Sequence, residues 1–420
     1  MDTTRREFLR AGAIAALGLT SPFEGLAAAQ PRGREAQDPI VVTVSLIGGN
    51  DGLNTVVPLR QYDRYRALRP TLAWPREQLI PLPRYEESFG LNPGMQALAQ
   101  LFVEGKVAFI NGCGCPPTAN GLFDHEASMR NFWTGETYGA APPGKPTGWL
   151  GRFLDSMEPR EFPTAVDFGF APLVLTGARS TPLSLARLSG FGVFPSVDAE
   201  ARYRAYERIQ QLPAAPGVAQ RSQALRRQIL ALSGVLQGIA DAYEVAPGVQ
   251  YPADALAGGL QDCAALIAAK RGVRALGVSL SGFDTHAVQN FGVPDSLPYH
   301  QILLTTVSEA MAAFYADLKA HGVSDRVVTL VFSEFGRRGA ENNNLGTDHG
   351  FGGPMLVIGD PVQGGVYGDY PDLREEYLVL DGNLDAPVDF RSVYATILAR
   401  HLGADPEPIL RGNFPQLRFL

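Results

Sequence analysis

The chain has 420 residues, of which 45% are hydrophobic and 19% are charged, and its formal net charge is −7. This composition is typical of a globular protein, and an acidic balance without a basic tract excludes a nucleic-acid partner from our expectations. The three cysteines are Cys113, Cys115 and Cys263, and the first two lie too close together to bridge without strain. We therefore expect a large hydrophobic core, rather than disulfides, to stabilise the fold.

The N-terminal segment has the features of an export signal. Arg5 and Arg6 precede an apolar run over 11–19, and small residues over 26–29 suit cleavage. The run is too short to span a bilayer, and the arginine pair is typical of twin-arginine signals; the alternative is an arginine pair ahead of a buried helix. We expect a signal peptide over 1–29, a short tail over 30–38, and a periplasmic or extracellular protein with no transmembrane segment.

Residues 39–420 are expected to form one domain, with a cap or insertion around 141–250. The first predicted strand, Ile40–Ile47, is rich in β-branched residues and suits a parallel strand buried on both faces. After it the sequence predicts helices over 60–69 and 93–104, a strand over 107–110 and a helix over 122–133. Alternating strands and helices favour an α/β fold.

The rest of the chain continues this alternation. In the middle of the chain the sequence predicts a helix over 148–156, short strands over 166–170 and 173–175, and helices over 203–212 and 221–243. Further on, the sequence predicts a helix over 262–269, a strand over 275–280, a helix over 299–321, strands over 327–332 and 355–359, and a last helix over 390–402.

Three of these strands end in loops that carry acidic or imidazole side chains, and a glycine-rich loop carries two further side chains of these types. The candidates are Asp51 after the first strand, Asp284 and His286 after the strand over 275–280, Glu334 after the strand over 327–332, and Asp348 and His349 in the glycine-rich loop. Ligands of open α/β sheets bind at the carboxyl ends of strands. These residue types suit one or two divalent ions, with Zn, Ca, Mg and Mn not distinguished. For a single aspartate such as Asp51, an N-cap or turn role is the alternative.

Asp124 and His125 lie near the start of the helix predicted after the second strand. A helix N-terminus presents N–H groups to an anion, and the alternative for His125 is a solvated position in the first turn. Arg337 and Arg338 are candidate cations for an acidic substrate, with surface solvation as the alternative. The remaining histidines are expected to be structural or solvated; they are His300, His321 and His401.

Four motifs follow the twin-arginine start in order: GGNDGLN over 48–54, GFDTH over 282–286, SEFGR over 333–337 and GTDHG over 346–350. Together they resemble a large bacterial family of twin-arginine-exported proteins of unknown function, within the alkaline-phosphatase/sulfatase-like superfamily. The resemblance covers essentially the whole mature chain. It implies a mostly parallel central sheet sandwiched by helices, with a metal centre at the strand ends.

The resemblance implies a role for each candidate. Asp51 matches the first-strand aspartate that binds metal, and Asp284 with His286 resembles an Asp/His pair that the superfamily usually spaces more widely. Glu334 replaces an aspartate, while Phe335 stands where phosphatases have a histidine; Asp348 and His349 supply the late histidine region. Where the family usually has a Ser-His pair, this chain has Asp124-His125, so Asp124 is expected to bind metal or act as a base, and no alkoxide nucleophile is evident.

The expected function is an exported metal-dependent hydrolase of phosphate or sulfate esters, acting on a small-molecule or glycan ester. The alternative is a catalytically altered envelope protein of the same fold that binds a glycan or a protein partner. The missing serine and Phe335 favour this alternative, and the retained acidic and imidazole set opposes it. A metal-dependent isomerase or mutase has no separate support in the sequence.

Overall fold

The computed structural model describes residues 37–116, 122–137, 145–169, 171–188, 232–291, 297–380 and 382–420. The predicted signal peptide and the predicted helix over 203–212 lie outside the described residues. Of the helix predicted over 221–243, the part over 232–242 is described and is helical. Within the described ranges, no helix combines the length and the apolar character needed to cross a bilayer.

The described strands form one nine-stranded sheet and one three-stranded sheet. In chain order they are β1 (Ile40–Ile47), β2 (Val56–Pro58), β3 (Ile80–Pro81), β4 (Phe89–Leu91), β5 (Val107–Gly114), β6 (Ala165–Asp167), β7 (Leu183–Ser184), β8 (Ala275–Ser281), β9 (Val327–Ser333), β10 (Gly353–Ile358), β11 (Gly365–Tyr367) and β12 (Val388–Asp389). The large sheet has the order β11-β5-β10-β9-β1-β8-β6-β7, and β12 also pairs with β5. Strand β10 runs antiparallel to β5 and β9, and the other described pairings of this sheet are parallel.

Strand β1 lies at the centre, between β8 and β9, and is buried on both faces. Val42 and Val44 pack into one hydrophobic cluster while Val41 packs into the other, as expected for a β-branched parallel strand. The parallel register sets Leu46 opposite Leu280 and Ser333. The loops that follow β1, β8 and β9 therefore leave the sheet side by side at the carboxyl ends of these central strands. The sequence predicted the candidate ligands in these loops.

Helices cover both faces of the large sheet. In chain order the described helices with defined ends are α1 (Tyr62–Leu68), α2 (Gln96–Val103), α3 (His125–Thr134), α4 (Trp149–Asp155), α5 (Pro172–Leu175), α6 (Ala255–Ala268), α7 (Tyr299–Ala320), α8 (Phe390–Thr396) and α9 (Pro406–Leu410). Leu98, Leu260 and Met311 bring α2, α6 and α7 against one face, and Trp149 and Tyr394 bring α4 and α8 against the other. The α/β class, with a mostly parallel central sheet sandwiched by helices, is confirmed.

Among the predicted elements that differ from the structure are the strand over 173–175 and the last helix. The strand predicted over 173–175 is the short helix α5, because Pro172 occupies its first turn and the fixed φ of proline suits that position. The last predicted helix ends its α-helical part at Thr396, continues as the π-helical turn Ile397–His401, and is followed by α9.

His401 gives a prediction for the pH dependence of stability. Burial lowers its pKa to about 4 from an ordinary 6.5, although its Nε2 contact with the Ile40 carbonyl oxygen (3.0 Å) opposes the shift. Between these pH values the unfolded chain binds a proton that the folded protein does not, so the free energy of unfolding falls as the pH falls. The contribution is at most about 1.4 kcal/mol per pH unit.

The measurement is chemical denaturation at pH 7 and pH 5 for the wild type and for His401→Gln, whose amide keeps a donor for the Ile40 carbonyl. We expect the variant to lose less stability than the wild type between the two pH values. Equal losses would contradict a lowered pKa for His401.

Candidate metal centre

The loops after β1 and β8 are in direct contact at the sheet edge. Gly48 has a φ of +124°, and a Cβ on it would lie 2.2 Å from the backbone nitrogen of Asp284. Only glycine combines this backbone conformation with so close an approach. The GGNDGLN motif thus positions the β1 loop against the loop that carries Asp284.

Three side chains from distant parts of the chain converge beside this contact. Donor atoms of His125, Asp284 and His349 all lie within 4.8 Å of one another. The Oδ1 atom of Asp284 is 3.1 Å from Nε2 of His349, and its Oδ2 atom is 3.6 Å from Nε2 of His125. Donor atoms of a tetrahedral zinc site, with bonds of about 2.0–2.1 Å, lie about 3.3 Å apart. The two carboxylate–imidazole distances therefore fit a shared cation.

The two imidazoles are oriented by hydrogen bonds on their Nδ1 atoms. Nδ1 of His349 is 2.7 Å from the Phe123 carbonyl oxygen, and Nδ1 of His125 is 3.0 Å from Oε1 of Glu334. Because the carbonyl only accepts, Nδ1 of His349 carries the hydrogen, and the Nε2 lone pair of the neutral ring faces Asp284. Metal-binding histidines are held in the same way by oxygen acceptors. A cation between Nε2 and the carboxylate satisfies both groups.

The pKa values of the two histidines are shifted in opposite directions. The hydrogen bond with Glu334 raises the pKa of His125, whereas burial lowers the pKa of His349 against the opposing effects of Phe123 and Asp284. His349 is thus the more readily available neutral ligand, and metal binding at His125 displaces a proton more often.

His286 and Asp348 flank this three-residue cluster. Nε2 of His286 is 3.1 Å from Oδ1 of Asp284, and its Nδ1 atom is 3.2 Å from Oδ1 of Asp348. The amide of Asn342 donates to the same Asp348 oxygen at 2.9 Å and holds the pKa of Asp348 below its usual value, with His286 adding to the effect. His286 is therefore an oriented imidazole next to the candidate metal position.

Arg337 holds the loops of the site together; the sequence made it a candidate cation for an acidic substrate, but its side chain is not accessible to one. Its side chain is fully buried. The guanidinium donates to the backbone carbonyls of Gly48, Gly49, Phe283 and Thr347 and to Oδ1 of Asp284. Burial alone would raise the pKa of Asp284, but the hydrogen bond from Arg337 and the positive charge of its guanidinium lower it to about 2. Asp284 is thus held as a carboxylate.

The structure does not bring Asp51 into the cluster. Its buried carboxylate accepts two hydrogen bonds from Arg69, at 2.6 and 3.1 Å, and one from Gln289 at 2.5 Å. Burial opposes ionisation, yet Arg69 lowers the pKa of Asp51. The expected ligand is therefore half of a buried ion pair behind the site.

Asp124 also has a structural role in place of the expected catalytic one. It is the N-cap of α3, and its Oδ1 atom accepts a hydrogen bond from the Ala127 backbone nitrogen at 2.8 Å. This cap places His125 at the first helical position, where its side chain reaches Glu334. Asp124 thus contributes by positioning its neighbour.

The other histidines lie outside the cluster. Nε2 of the buried His300 is 3.0 Å from Oδ1 of Asn50, and Nε2 of His321 is 3.1 Å from the Glu244 carbonyl oxygen. Ser333, at the end of β9, donates its hydroxyl hydrogen to the Leu46 carbonyl at 2.6 Å. This hydroxyl is therefore a structural group.

A family profile matches residues 132–413, which is more than half of the chain. The chain belongs to the family called Protein of unknown function (DUF1501). The matched part of this DUF1501 chain contains Asp284, His286, Glu334, Asp348 and His349, and it begins after His125. No curated protein matches the chain.

Three solved structures illustrate what this chain is similar to. Ps i-CgsB, in complex with k-i-k-neocarrahexaose, has 13% identity and a TM-score of 0.42, with 90% of this chain and 75% of that chain covered. The PsFucS1 sulfatase from Pseudoalteromonas sp. has 13% identity and a TM-score of 0.34, with 88% and 70% covered. The phosphonate monoester hydrolase SpPMH from Silicibacter pomeroyi has 10% identity and a TM-score of 0.33, with 91% and 78% covered. Likeness at this level concerns the fold alone.

Proposed function

We propose that this protein is an exported, metal-dependent hydrolase of phosphate or sulfate esters. The observation that carries the proposal is the convergence of His125, Asp284 and His349, whose donor atoms lie within 4.8 Å of one another. Three protein ligands with room for a further one are typical of catalytic rather than structural metal sites. The arginine pair Arg5-Arg6 supports export to the periplasm or the cell exterior.

The residues of the site have two roles: some hold the ion in place and one transfers a proton. When bound, a divalent cation supplies Lewis-acid polarisation of an ester oxygen. Glu334 and the Phe123 carbonyl keep the rings of His125 and His349 turned toward that position. His286, oriented by Asp348 through Nδ1, is placed to exchange a proton at Nε2 with attacking water or with the leaving group.

Water is the nucleophile that fits this arrangement. Ser333 is engaged by Leu46, and burial raises the pKa of the Cys115 thiol to about 12, so neither is activated for attack. His286 has 42% of its side chain exposed and can reach solvent water. Direct hydrolysis, without a covalent intermediate on a serine or cysteine, therefore agrees with the geometry.

Metal content and ester hydrolysis test the proposal together. The purified protein is analysed for bound metal by mass spectrometry and assayed with aryl phosphate and aryl sulfate esters, before and after dialysis against a chelator. We expect bound metal, hydrolysis of at least one ester class, loss of turnover on chelation and recovery when the same metal is restored.

Two outcomes would contradict the proposal. Hydrolysis that is unaffected by complete metal removal would remove the ion from the reaction. A bound metal without turnover of either ester would favour the alternative, a binding protein of the same fold, which Asp124, in the place of the expected serine, already makes the second candidate.

A further inference from the structure

We propose that the centre holds a single metal ion, because the guanidinium of Arg69 permanently occupies the place where a second cation would meet Asp51. This inference rests on the proposed metal centre and concerns how many ions it contains. The sequence had left one or two ions open, with Asp51 among the ligands.

Both oxygens of Asp51 are already used. Oδ2 accepts hydrogen bonds from Nη1 of Arg69 at 2.6 Å and from Nε2 of Gln289 at 2.5 Å, and Oδ1 accepts one from Nη2 of Arg69 at 3.1 Å. The Asp51 side chain is 1% exposed and the Arg69 side chain 0%. A bidentate Arg–carboxylate pair in this setting is already charge-neutral, so Asp51 has no net charge to offer a further cation.

Arg69 is fixed in this position by contacts beyond Asp51. Its Nε atom donates to the Gly339 carbonyl at 2.7 Å, and its Nη2 atom donates to the Arg338 carbonyl at 2.7 Å. Both acceptors lie in the chain segment that follows β9. The positively charged guanidinium repels a second cation.

Gln289 also presents hydrogens, rather than an oxygen, to Asp51. Its Oε1 atom accepts hydrogen bonds from the hydroxyls of Thr285 and Thr347, each at 2.8 Å. The amide nitrogen faces Asp51 because a carboxylate only accepts hydrogen bonds, whereas the threonine hydroxyls can donate to the amide oxygen. Asp51 is thus surrounded by N–H donors, whereas a metal ion needs lone pairs from oxygen or nitrogen acceptors.

Glu334, another predicted ligand, does not supply a second metal site either. Oε1 of Glu334 accepts from the Gly48 backbone nitrogen at 2.7 Å and contacts Nδ1 of His125 at 3.0 Å, and Oε2 lies 3.2 Å from the hydroxyl oxygen of Ser333. Phe335 places a buried ring over His125 and His349, with centroid distances of 5.0 and 4.4 Å. Glu334 is therefore an orienting group and Phe335 an apolar wall.

A single ion changes what the protein must supply. Two-metal sites stabilise the attacking and the leaving oxygen with one ion each. With one ion, a side chain must stabilise the leaving oxygen. His286 suits this task, because it lies next to the three-residue cluster and Asp348 orients its ring. The Asp51–Arg69 pair keeps the loops in place without taking part in the reaction.

The number of ions is measured on the wild-type protein, so the test does not depend on a variant that folds. Native mass spectrometry counts bound ions per chain, and electron paramagnetic resonance of the protein saturated with Mn²⁺ distinguishes isolated from exchange-coupled ions. We expect one tightly bound ion per chain and the spectrum of an isolated Mn²⁺.

Each other result has a distinct meaning. Two ions per chain with an exchange-coupled spectrum would overturn the single-ion inference while leaving the metal centre intact. No bound ion would overturn the proposed function instead. A matched pair of variants adds a second readout: Asp51→Asn is expected to keep one ion and Asp284→Asn to lose it, and a drop from two ions to one in Asp51→Asn would contradict the inference.

Discussion

Replacing Asp284 by asparagine is expected to remove the bound metal and to lower kcat/KM for ester hydrolysis by more than about 100-fold. Losing an outer partner of a metal ligand typically costs 10–100-fold, and Asp284 is a direct candidate ligand. Its carboxylate lies between Nε2 of His125 and Nε2 of His349 and is held ionised by Arg337. A neutral amide of the same shape lacks the charge and presents hydrogens where oxygens are required. Metal analysis and steady-state kinetics on the same preparation measure both effects.

The control is the same substitution at an exposed carboxylate. Asp372 pairs with Arg374 at 2.6 Å at the surface, outside the cluster, so Asp372→Asn is expected to keep the metal and the activity. Asp284→Asn protein that retains a full complement of metal and wild-type turnover would show that Asp284 is not a ligand.

Replacing Arg69 by methionine is expected to lower the free energy of unfolding by about 3–5 kcal/mol, as is usual when one partner of a buried ion pair is removed. The change leaves the Asp51 carboxylate buried, with only Gln289 as a hydrogen-bond partner. It also removes the donors to the carbonyls of Arg338 and Gly339, which connect the β1 side of the site to the segment after β9. Equilibrium denaturation, monitored by circular dichroism, measures the loss.

A surface pair of the same residue types provides the comparison. Arg76 and Glu87 are 3.7 Å apart with 52% and 90% of their side chains exposed, so Arg76→Met is expected to cost less than about 1 kcal/mol. Similar losses for the two variants would mean that the Asp51–Arg69 pair does not stabilise the fold in the way described here.

The convergence of distant residues could be predicted because it follows from the topology of the sheet. The apolar strands that lead to Asp284 and Glu334 indicated parallel strands of one sheet, and parallel strands deliver the loops after their carboxyl ends to one side of the sheet. That reasoning needs only strand type and direction. In the structure, four of the other five expected metal ligands lie around Asp284, together with His125.

The partners of the charged side chains could not be predicted, because they depend on packing between segments far apart in the chain. Arg69 lies 18 residues after Asp51, at the end of a helix, and no periodicity shows that its side chain turns inward. Arg337 follows a strand much as a surface arginine would, yet it is fully buried. The N-cap role of Asp124 did have a signal, since an aspartate directly before a helix usually caps it.

The order of strands has a consequence for when the site can exist. Strand β5 leads toward His125, and its described neighbours in the sheet are β10, β11 and β12, all from residues beyond 352. Strand β1 likewise pairs only with β8 and β9 in the described sheet. Because these partner strands are synthesised more than 200 residues after β5, a nascent chain that ends before residue 353 lacks the described partners of the strand that leads to His125. The proposed metal centre can therefore assemble only after the residues beyond 352 have been synthesised.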